Sequence, residues 1–356
     1  MIKTLSRREA ESWCGDLSQL YYIRECRLEE GKSKGTRAYQ IRNGRGLELL
    51  TLPDKCFAVP ELVFQGMNMG FISKAGICAP EFYQEEGTRG FLRNFEAGFL
   101  TTCGLTYMGT PGVEDGQANG LHGVISNTPA EHIFSGISWD DGEAVITFGG
   151  EAREGYLFGP NMRIFRKFRI STAENKITIC DRVENQGFEK TPLMLLYHFN
   201  FGYPMLDESC RLYTNFTEIE TRDPLKEEQI SRACEFQKPE EGFEEEVYFR
   251  RAAKEVKEGL AVLYNPKMEK AAVLKINPDQ LPVLNQWKSM RAGDYALGLE
   301  PGTAHVGGRI RAVEDGSLQY LEGGESREFE LEIEFLDTAK ENDKLEAFIN
   351  KLNREV

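Results

Sequence analysis

His198 lies at the end of a stretch whose residue types suit proton transfer. The continuous apolar run 193–197 precedes it, and Asn200, Gly202 and Pro204 follow within a few positions. An apolar run of this length, bounded by residues that break regular structure, predicts a strand buried on both faces. An imidazole where such a strand ends can exchange protons near pH 7. A core histidine bonded to neighbouring carbonyls fits the same pattern, so this stretch alone leaves both interpretations open.

Two further motifs carry an acid–base side chain beside residues that turn the chain. His122 stands in a Gly-Leu-His-Gly sequence, and the glycines let a backbone or a ligand approach closely. Glu300 ends a short apolar run and precedes Pro301 and Gly302, so the strand stops at the carboxylate. A carboxylate there can lose part of its solvation, which raises its pKa towards the range of a general base. An ordinary strand-end carboxylate in water is the alternative.

Several polar residues have the chemistry to bind a sugar. Arg93 offers a fork of donors for hydroxyls or a carboxylate, or else a structural salt bridge with Glu96. Gln286, Trp287 and Lys288 place an aromatic face beside amide and ammonium donors, which suits a sugar ring and its hydroxyls. A core tryptophan beside a surface lysine is equally consistent with that sequence.

Asn127 adds an amide in the polar turn Ser-Asn-Thr-Pro that follows the His122 motif. The two other histidines, His132 and His305, have weaker contexts: the first follows Glu131 and faces solvent or closes a strand, and the second lies in a loop. The sequence has no nucleophile elbow, phosphate-binding loop, metalloprotease motif or dinucleotide-binding fingerprint.

Composition excludes some classes of partner. The chain has 356 residues and a formal charge of −14, which argues against nucleic acid or an anionic membrane surface as partner. Its eight cysteines are scattered without a Cys-x-x-Cys pair, which is typical of reduced thiols in a cytoplasm. The first residues lack the apolar segment of a secretory signal, and no apolar window is long enough to span a membrane. We therefore predict a cytoplasmic protein with neither partner.

The elements that must hold these side chains are mainly strands. Asn43-Gly44 between two apolar segments indicates a hairpin, and residues 328–335 alternate strictly between glutamate and apolar residues. Long helical patterns between strands are missing, which disfavours a doubly wound α/β fold. The pattern predicts one large, mainly antiparallel β-sandwich domain over residues 1–356 with a few peripheral helices.

Three segments at the periphery have their own signatures. The capping-box spacing of Ser6 and Glu9 predicts a short N-terminal helix. Apolar residues from Leu345 to Leu352 at helical spacing predict a C-terminal amphipathic helix on the outside of the sheets. The charged stretch 224–257 predicts a solvated excursion or a peripheral helix rather than core.

Taken in order, the motifs resemble those of the aldose 1-epimerase (galactose mutarotase-like) superfamily, in a divergent bacterial branch. The matching segments run from about residue 90 to about residue 303. They are Thr102-Cys103-Gly104-Leu105, Leu121-His122-Gly123, Ser126-Asn127-Thr128-Pro129-Ala130, Tyr197-His198-Phe199-Asn200-Phe201-Gly202, Gln286-Trp287-Lys288 and Leu297-Gly298-Leu299-Glu300.

The resemblance implies a large antiparallel β-supersandwich that interconverts the α and β anomers of a free sugar, a small-molecule substrate. It implies that Glu300 is the general base on the anomeric hydroxyl and that His198 is the general acid on the ring oxygen. It further implies that His122 positions the sugar and that Arg93 lies near its hydroxyls. No metal or organic cofactor is implied, and a homo-oligomer is left open.

Two other hypotheses remain at this point. The chain can be a carbohydrate-binding or regulatory sandwich that kept the pocket without the chemistry. It can also be a metal-dependent sugar isomerase with His122, His132, His198 and Glu300 as ligands, although the His-x-His spacing common in such sites is missing.

Overall fold

Antiparallel strands dominate the computed structural model, which describes residues 5–114, 116–140 and 142–355. The helices are α1 (Arg7–Trp13), α2 (Thr88–Asn94), α3 (Glu227–Ser231), α4 (Arg309–Glu314) and α5 (Thr338–Glu355). The first twelve strands are β1 (Tyr22–Arg27), β2 (Arg37–Arg42), β3 (Leu47–Leu52), β4 (Ala58–Phe64), β5 (Met67–Asn68), β6 (Phe71–Ile72), β7 (Ala97–Gly98), β8 (Leu100–Leu105), β9 (Gly112–Glu114), β10 (Gln117–Asn119), β11 (Glu131–Asp140) and β12 (Glu143–Gly155). The remaining strands are β13 (Asn161–Ser171), β14 (Lys176–Asn185), β15 (Thr191–Gly202), β16 (Arg211–Thr214), β17 (Glu218–Thr221), β18 (Glu246–Arg251), β19 (Gly259–Asn265), β20 (Lys270–Ile276), β21 (Val283–Arg291), β22 (Asp294–Gly302), β23 (Gln319–Leu321) and β24 (Ser326–Asp337).

Two large sheets form the sandwich. The first has twelve strands, ordered β1-β2-β3-β4-β8-β15-β22-β21-β18-β17, with β5 paired to β4 and β23 paired to β15. The second has eight strands, ordered β11-β12-β13-β14-β24-β20-β19-β16. The predicted antiparallel β-supersandwich is therefore confirmed.

The main core is the apolar layer between the two sheets. Strand β15 supplies Tyr197, Phe199 and Phe201 to this layer, while its other face carries Leu196 in a second apolar cluster outside the sandwich. Alternate side chains of a strand point to opposite faces, so a strand apolar on both faces must be covered on both. The sequence prediction of a doubly buried strand ending near His198 is confirmed.

Both terminal helices lie where the sequence places them. Ser6 and Glu9 form a complete capping box at the start of α1. Helix α5 packs Leu345 and Leu352 against Leu336 and the outer face of the eight-stranded sheet. The inner face of β24 points its apolar residues into the main core.

The prediction that residues 224–257 are all peripheral is wrong. Helix α3 is a short surface turn, but β18 lies inside the twelve-stranded sheet between β17 and β21 and is buried. Its charges are paired within the sheet: Glu246 contacts Lys288, and Arg250 donates to Gln286. Because each charge has a partner, a segment that looks solvated in sequence is part of the fold.

Among the described residues, none of the helices has the length and apolar character needed to cross a bilayer. All eight cysteines are free thiols. The extent of a single domain over residues 1–356 stays a prediction.

Candidate functional site

Two adjacent strands of the large sheet bring His198 and Glu300 together. In the register of β15 with β22, Leu196 lies opposite Gly302 and Phe199 opposite Leu299, so His198 falls beside Glu300. His198 Nε2 is 3.3 Å from Glu300 Oε1. The two residues are only 4% and 2% exposed, on the sheet face that points away from the main core. A histidine and a carboxylate about 100 positions apart in sequence thus form one buried acid–base pair.

His122 reaches the same pair from a loop that the backbone holds in place. Its φ of 62° is left-handed, its amide donates to the Gly109 carbonyl over 3.1 Å, and its Nδ1 accepts from the Gly109 amide at 3.3 Å. A neutral ring that accepts at Nδ1 carries its proton on Nε2. The ring lies 5.5 Å from that of His198, edge to face. At Gly123 a side chain would collide with the Tyr107 carbonyl, so the glycine in this motif is required sterically.

Aromatic side chains enclose the two histidines. Phe91 packs 5.0 Å from the His122 ring, and Phe95 packs 5.1 Å from the His198 ring. Trp287 lies 5.9 Å from His198 on the other side. Phe91 and Phe95 also stack on each other at 4.8 Å. These apolar contacts keep water from the acid–base groups.

Burial controls the protonation of all three groups. It lowers the pKa of His198 well below its ordinary value, and His122 nearby adds to the effect. It lowers the pKa of His122 to about 3. It raises the pKa of Glu300 well above its ordinary value; the negative charge of Glu245 reinforces this and the positive charge of Arg222 opposes it. The ligand-free pair is therefore neutral, with a protonated Glu300 carboxyl and an uncharged His198 imidazole.

Neighbouring residues fix the backbone that carries Glu300 and limit the space around its carboxyl. Asn285 donates its amide to the carbonyls of Glu300 and Ala304, both at 3.2 Å, and accepts from the Val306 amide at 2.9 Å. Any side chain at Gly298 would collide with Glu300 Oε1. Among the described residues, Glu300 Oε1 and His198 Nδ1 make no hydrogen bond that satisfies normal geometry. Buried polar atoms without partners are rare and point to a functional role.

The structure brings only some of the predicted binding residues to the pair. Trp287 contacts His198, as described. Gln286 and Lys288 lie on the opposite face of β21, because adjacent residues of a strand point in opposite directions. Gln286 accepts from Arg250, and Lys288 donates to the Arg232 carbonyl.

Arg93 and Asn127 are also not brought to the pair. Arg93 is 57% exposed and forms an ion pair with Glu86 at 2.6 Å. On α2 it lies two positions from Phe91 and from Phe95, so it faces solvent while they face the histidines. Asn127 lies in a short 3₁₀ turn and donates to the Ser126 hydroxyl.

Sequence reasoning missed Arg222 and Glu245. Arg222 Nη2 is 2.8 Å from Glu245 Oε1, and the Trp287 indole N–H donates to Glu245 Oε2 at 2.8 Å. Because Trp287 also packs against His198, these contacts place the Arg222–Glu245 pair beside the site. Both belong to charged surroundings that resemble ordinary solvated sequence, so no motif marks them.

The four residues of the metal hypothesis are not assembled. His132 lies on β11 in the other sheet, is 68% exposed and contacts Glu151 at 2.7 Å. Glu131, His132 and Glu151 lie close enough to share an ion, but Arg163 already pairs with Glu151. This group lies on β11 and β12 of the eight-stranded sheet, whereas His198 and Glu300 lie on the twelve-stranded sheet, and its contacts form an ion-pair network.

The sequence matches the model of one protein family. The sequence model of a family described as a domain of unknown function, DUF4432, matches residues 33–335. The chain belongs to the DUF4432 family. No curated protein matches the sequence of this DUF4432 protein.

Solved structures resemble the DUF4432 protein over most of its length. A Klebsiella pneumoniae protein provisionally named an aldose 1-epimerase is 25% identical, with a TM-score of 0.85 over 93% of this chain and 88% of that one. A galactose mutarotase-like protein from Clostridium acetobutylicum is 15% identical, with a TM-score of 0.61 over 89% and 99%. The galactose 1-epimerase of Lactobacillus acidophilus is 14% identical, with a TM-score of 0.56 over 89% and 99%. The superfamily resemblance noted in the sequence is confirmed as a shared fold.

Proposed function

We propose that this protein is an isomerase of the mutarotase type, which interconverts the α and β anomers of a free aldose. The observation that carries the proposal is the buried contact between His198 Nε2 and Glu300 Oε1 at 3.3 Å. A carboxyl and an imidazole held side by side can serve the two oxygens of one hemiacetal carbon. The fold shared with proteins named epimerases and mutarotases supports the same conclusion.

Ring opening needs one proton removed and one delivered. On sugar binding, the shared proton moves from Glu300 to His198, which gives a carboxylate and an imidazolium. Glu300 then takes the proton of the anomeric hydroxyl while His198 protonates the ring oxygen. The bond from the anomeric carbon to the ring oxygen breaks, and the anomeric carbon becomes an aldehyde carbon.

After ring opening, the pair is again neutral, which is the state that burial favours. Rotation about the bond between C1 and C2 presents the other aldehyde face. Reclosure reverses the proton transfers: His198 removes the proton of the hydroxyl that attacks, and Glu300 protonates the aldehyde oxygen. The cycle is balanced in protons and uses protein side chains alone.

The surrounding residues bind the sugar in this proposal. His122 donates from Nε2 to a sugar hydroxyl, because its Nδ1 already accepts from the Gly109 amide. Trp287 is only partly buried and offers its ring to the C–H face of the sugar. Arg93, Gln286 and Lys288 are not given roles, since their side chains have partners elsewhere. Asn127 is given none because the only hydrogen bond of its side chain among the described residues is to Ser126.

Anomer exchange measured by NMR over a panel of aldoses tests the proposal. Wild type is expected to exchange at least one sugar well above the spontaneous rate. Glu300→Gln and His198→Asn are each expected to lose about 10²- to 10⁴-fold, the usual contribution of a positioned acid or base. His132→Asn, at the exposed histidine on the other sheet, is the matched control and retains the wild-type rate.

Two outcomes contradict the proposal. One is exchange at the wild-type rate in both site variants. The other is sugar binding without exchange for any member of the panel, which would make the protein a carbohydrate-binding sandwich that lacks the chemistry.

A further inference from the structure

The rim of the site is formed by a charged pair next to the catalytic groups. Arg222 follows β17 and Glu245 precedes β18, and their side chains are 29% and 45% exposed. Glu245 joins the guanidinium on one side to the Trp287 indole on the other. Trp287 in turn packs against His198. A continuous chain of contacts thus runs from the solvent-exposed rim to the buried acid–base pair.

The charged side chains at this rim carry a net negative charge. Arg222 Nη2 pairs with Glu245 at 2.8 Å, and Arg222 Nε pairs with Asp223 at 2.7 Å. One cation therefore serves two carboxylates. Glu245 accepts from the Trp287 indole, and Trp287 packs against His198, so a ligand held between Trp287 and the acid–base pair lies close to the charges of this rim.

The other cations around the site are paired elsewhere. Lys288 is buried on the far face of β21 with Glu246, and Arg93 pairs with Glu86 in solvent. Lys55 is buried in an ion pair with Glu96. An anionic sugar would meet two carboxylates at the rim, whose charge the single Arg222 guanidinium does not fully offset, while Lys288, Arg93 and Lys55 are already paired.

A neutral sugar meets a different surface. The guanidinium uses Nε and Nη2 for its two carboxylates, and among the described residues its Nη1 has no partner. Nη1 can donate to a hydroxyl, and the Glu245 carboxylate can accept from one. A hydroxyl both donates and accepts, so it fits this pair without disturbing the charge balance.

We propose that the Arg222–Glu245 pair determines specificity, so that the site takes neutral aldoses and excludes uronic acids and sugar phosphates. This inference rests on the proposed sugar isomerase function and names its substrate class.

Matched neutral and anionic sugars test the inference. Glucose, glucuronate and glucose 6-phosphate, together with galactose and galacturonate, are compared by anomer-exchange kcat/KM and by ligand-observed NMR binding. Wild type is expected to prefer each neutral sugar at least about tenfold. Glu245→Gln keeps the acceptor for Trp287 and removes the negative charge. It is expected to reduce that preference about tenfold by improving the anionic sugars.

Glu235→Gln is the matched control. It removes a carboxylate from an exposed pair with Arg232, 3.6 Å apart, on the same peripheral segment. The neutral-to-anionic ratio is expected to stay at the wild-type value in this variant.

The outcomes separate the two proposals. A wild type that prefers anionic sugars, or an unchanged ratio in Glu245→Gln, overturns the inference while exchange activity still supports the isomerase. Preferential binding of neutral sugars that weakens in Glu245→Gln, with no exchange at all, supports the inference and overturns the isomerase. Absence of binding and exchange for every sugar overturns both.

Discussion

Burial of one carboxyl and one imidazole side by side is the dominant feature at the scale of single residues. Each charged form loses hydration in the apolar surroundings, so the pKa of Glu300 rises and that of His198 falls. The neutral pair is the resting state. In the proposed mechanism, a bound sugar supplies hydrogen bonds to the charged forms, so the ion pair needed for ring opening forms only with substrate present.

A broad pH–rate plateau follows from this arrangement. Activity requires one proton on the pair. The acid limb, where His198 gains a second proton, lies below pH 6.5 because its pKa is lowered. The alkaline limb, where Glu300 loses its proton, lies well above pH 4.5, because burial raises the pKa of Glu300. Exchange rates measured from about pH 4 to about pH 9 check this, and an acid limb at or above pH 6.5 would contradict it.

His122 is expected to contribute to binding more than to chemistry. His122→Asn keeps a residue that tolerates the left-handed φ of 62° but loses the Nε2 donor. We expect KM to rise about tenfold, the value of one good hydrogen bond, with a smaller change in kcat. His132→Asn is again the control, because His132 also has a left-handed φ, 51°, and is exposed. A fall in kcat with unchanged KM would place His122 in the chemical step instead.

At the scale of elements, the end of α2 is held by a buried ion pair. Lys55 pairs with Glu96 and donates to the Asn94 carbonyl at 2.8 Å, and both ionic side chains are almost fully buried. Phe95, between these two anchors, covers His198. The pair therefore fixes the segment that covers His198.

Removing one partner of this pair is expected to be costly. Lys55→Met leaves the Glu96 carboxylate buried and unpaired, which should lower the free energy of unfolding by about 3–5 kcal/mol. The double variant Lys55→Met/Glu96→Leu removes both charges and should recover most of that loss. Urea unfolding of the three proteins checks this. A Lys55→Met variant as stable as wild type would show that the pair contributes little.

Element periodicity also explains which site residues were predictable. The apolar runs of β15 and β22 were visible in the sequence, but the prediction that the second strand stops at Glu300 is wrong. Strand β22 continues through Pro301 to Gly302, because both residues still pair with β21. Arg93 and Gln286 had suitable chemistry but lie on the wrong face of their elements. One sequence does not give the rotational phase of a seven-residue helix or of a strand buried on both faces.

At the scale of the whole molecule, the sandwich was predictable and the rim of the site was not. Alternating strands and hairpin turns indicated the fold directly. Arg222 and Glu245 reach the site because β17 and β18 join the edge of the twelve-stranded sheet. Strands β17 and β18 pair across the charged segment that separates them in sequence, and no local sequence pattern predicts this pairing.

The buried histidine also links global stability to pH. The pKa of His122 is about 3 in the folded protein against 6.5 as its ordinary value, so the unfolded chain binds the proton more readily between these limits. Above pH 6.5 the ring is neutral in both the folded and the unfolded chain, so its burial does not lower the free energy of unfolding. As the pH falls from 6.5 towards 3, the free energy of unfolding falls by up to about 1.4 kcal/mol per pH unit. The free energy of unfolding, measured by urea titration at several pH values, should therefore fall more steeply with decreasing pH in wild type than in His122→Asn. Parallel curves would contradict the assignment.

A double-mutant cycle on anomer exchange tests the central claim, that His198 and Glu300 act as one unit that shares a proton. Glu300→Gln, His198→Asn and the double variant are compared with wild type on the best neutral aldose. If the pair is one unit, the double variant loses no more activity than the worse single variant, because either change alone already disables the proton exchange. Losses that multiply in the double variant would show two independent groups and would contradict the shared-proton mechanism.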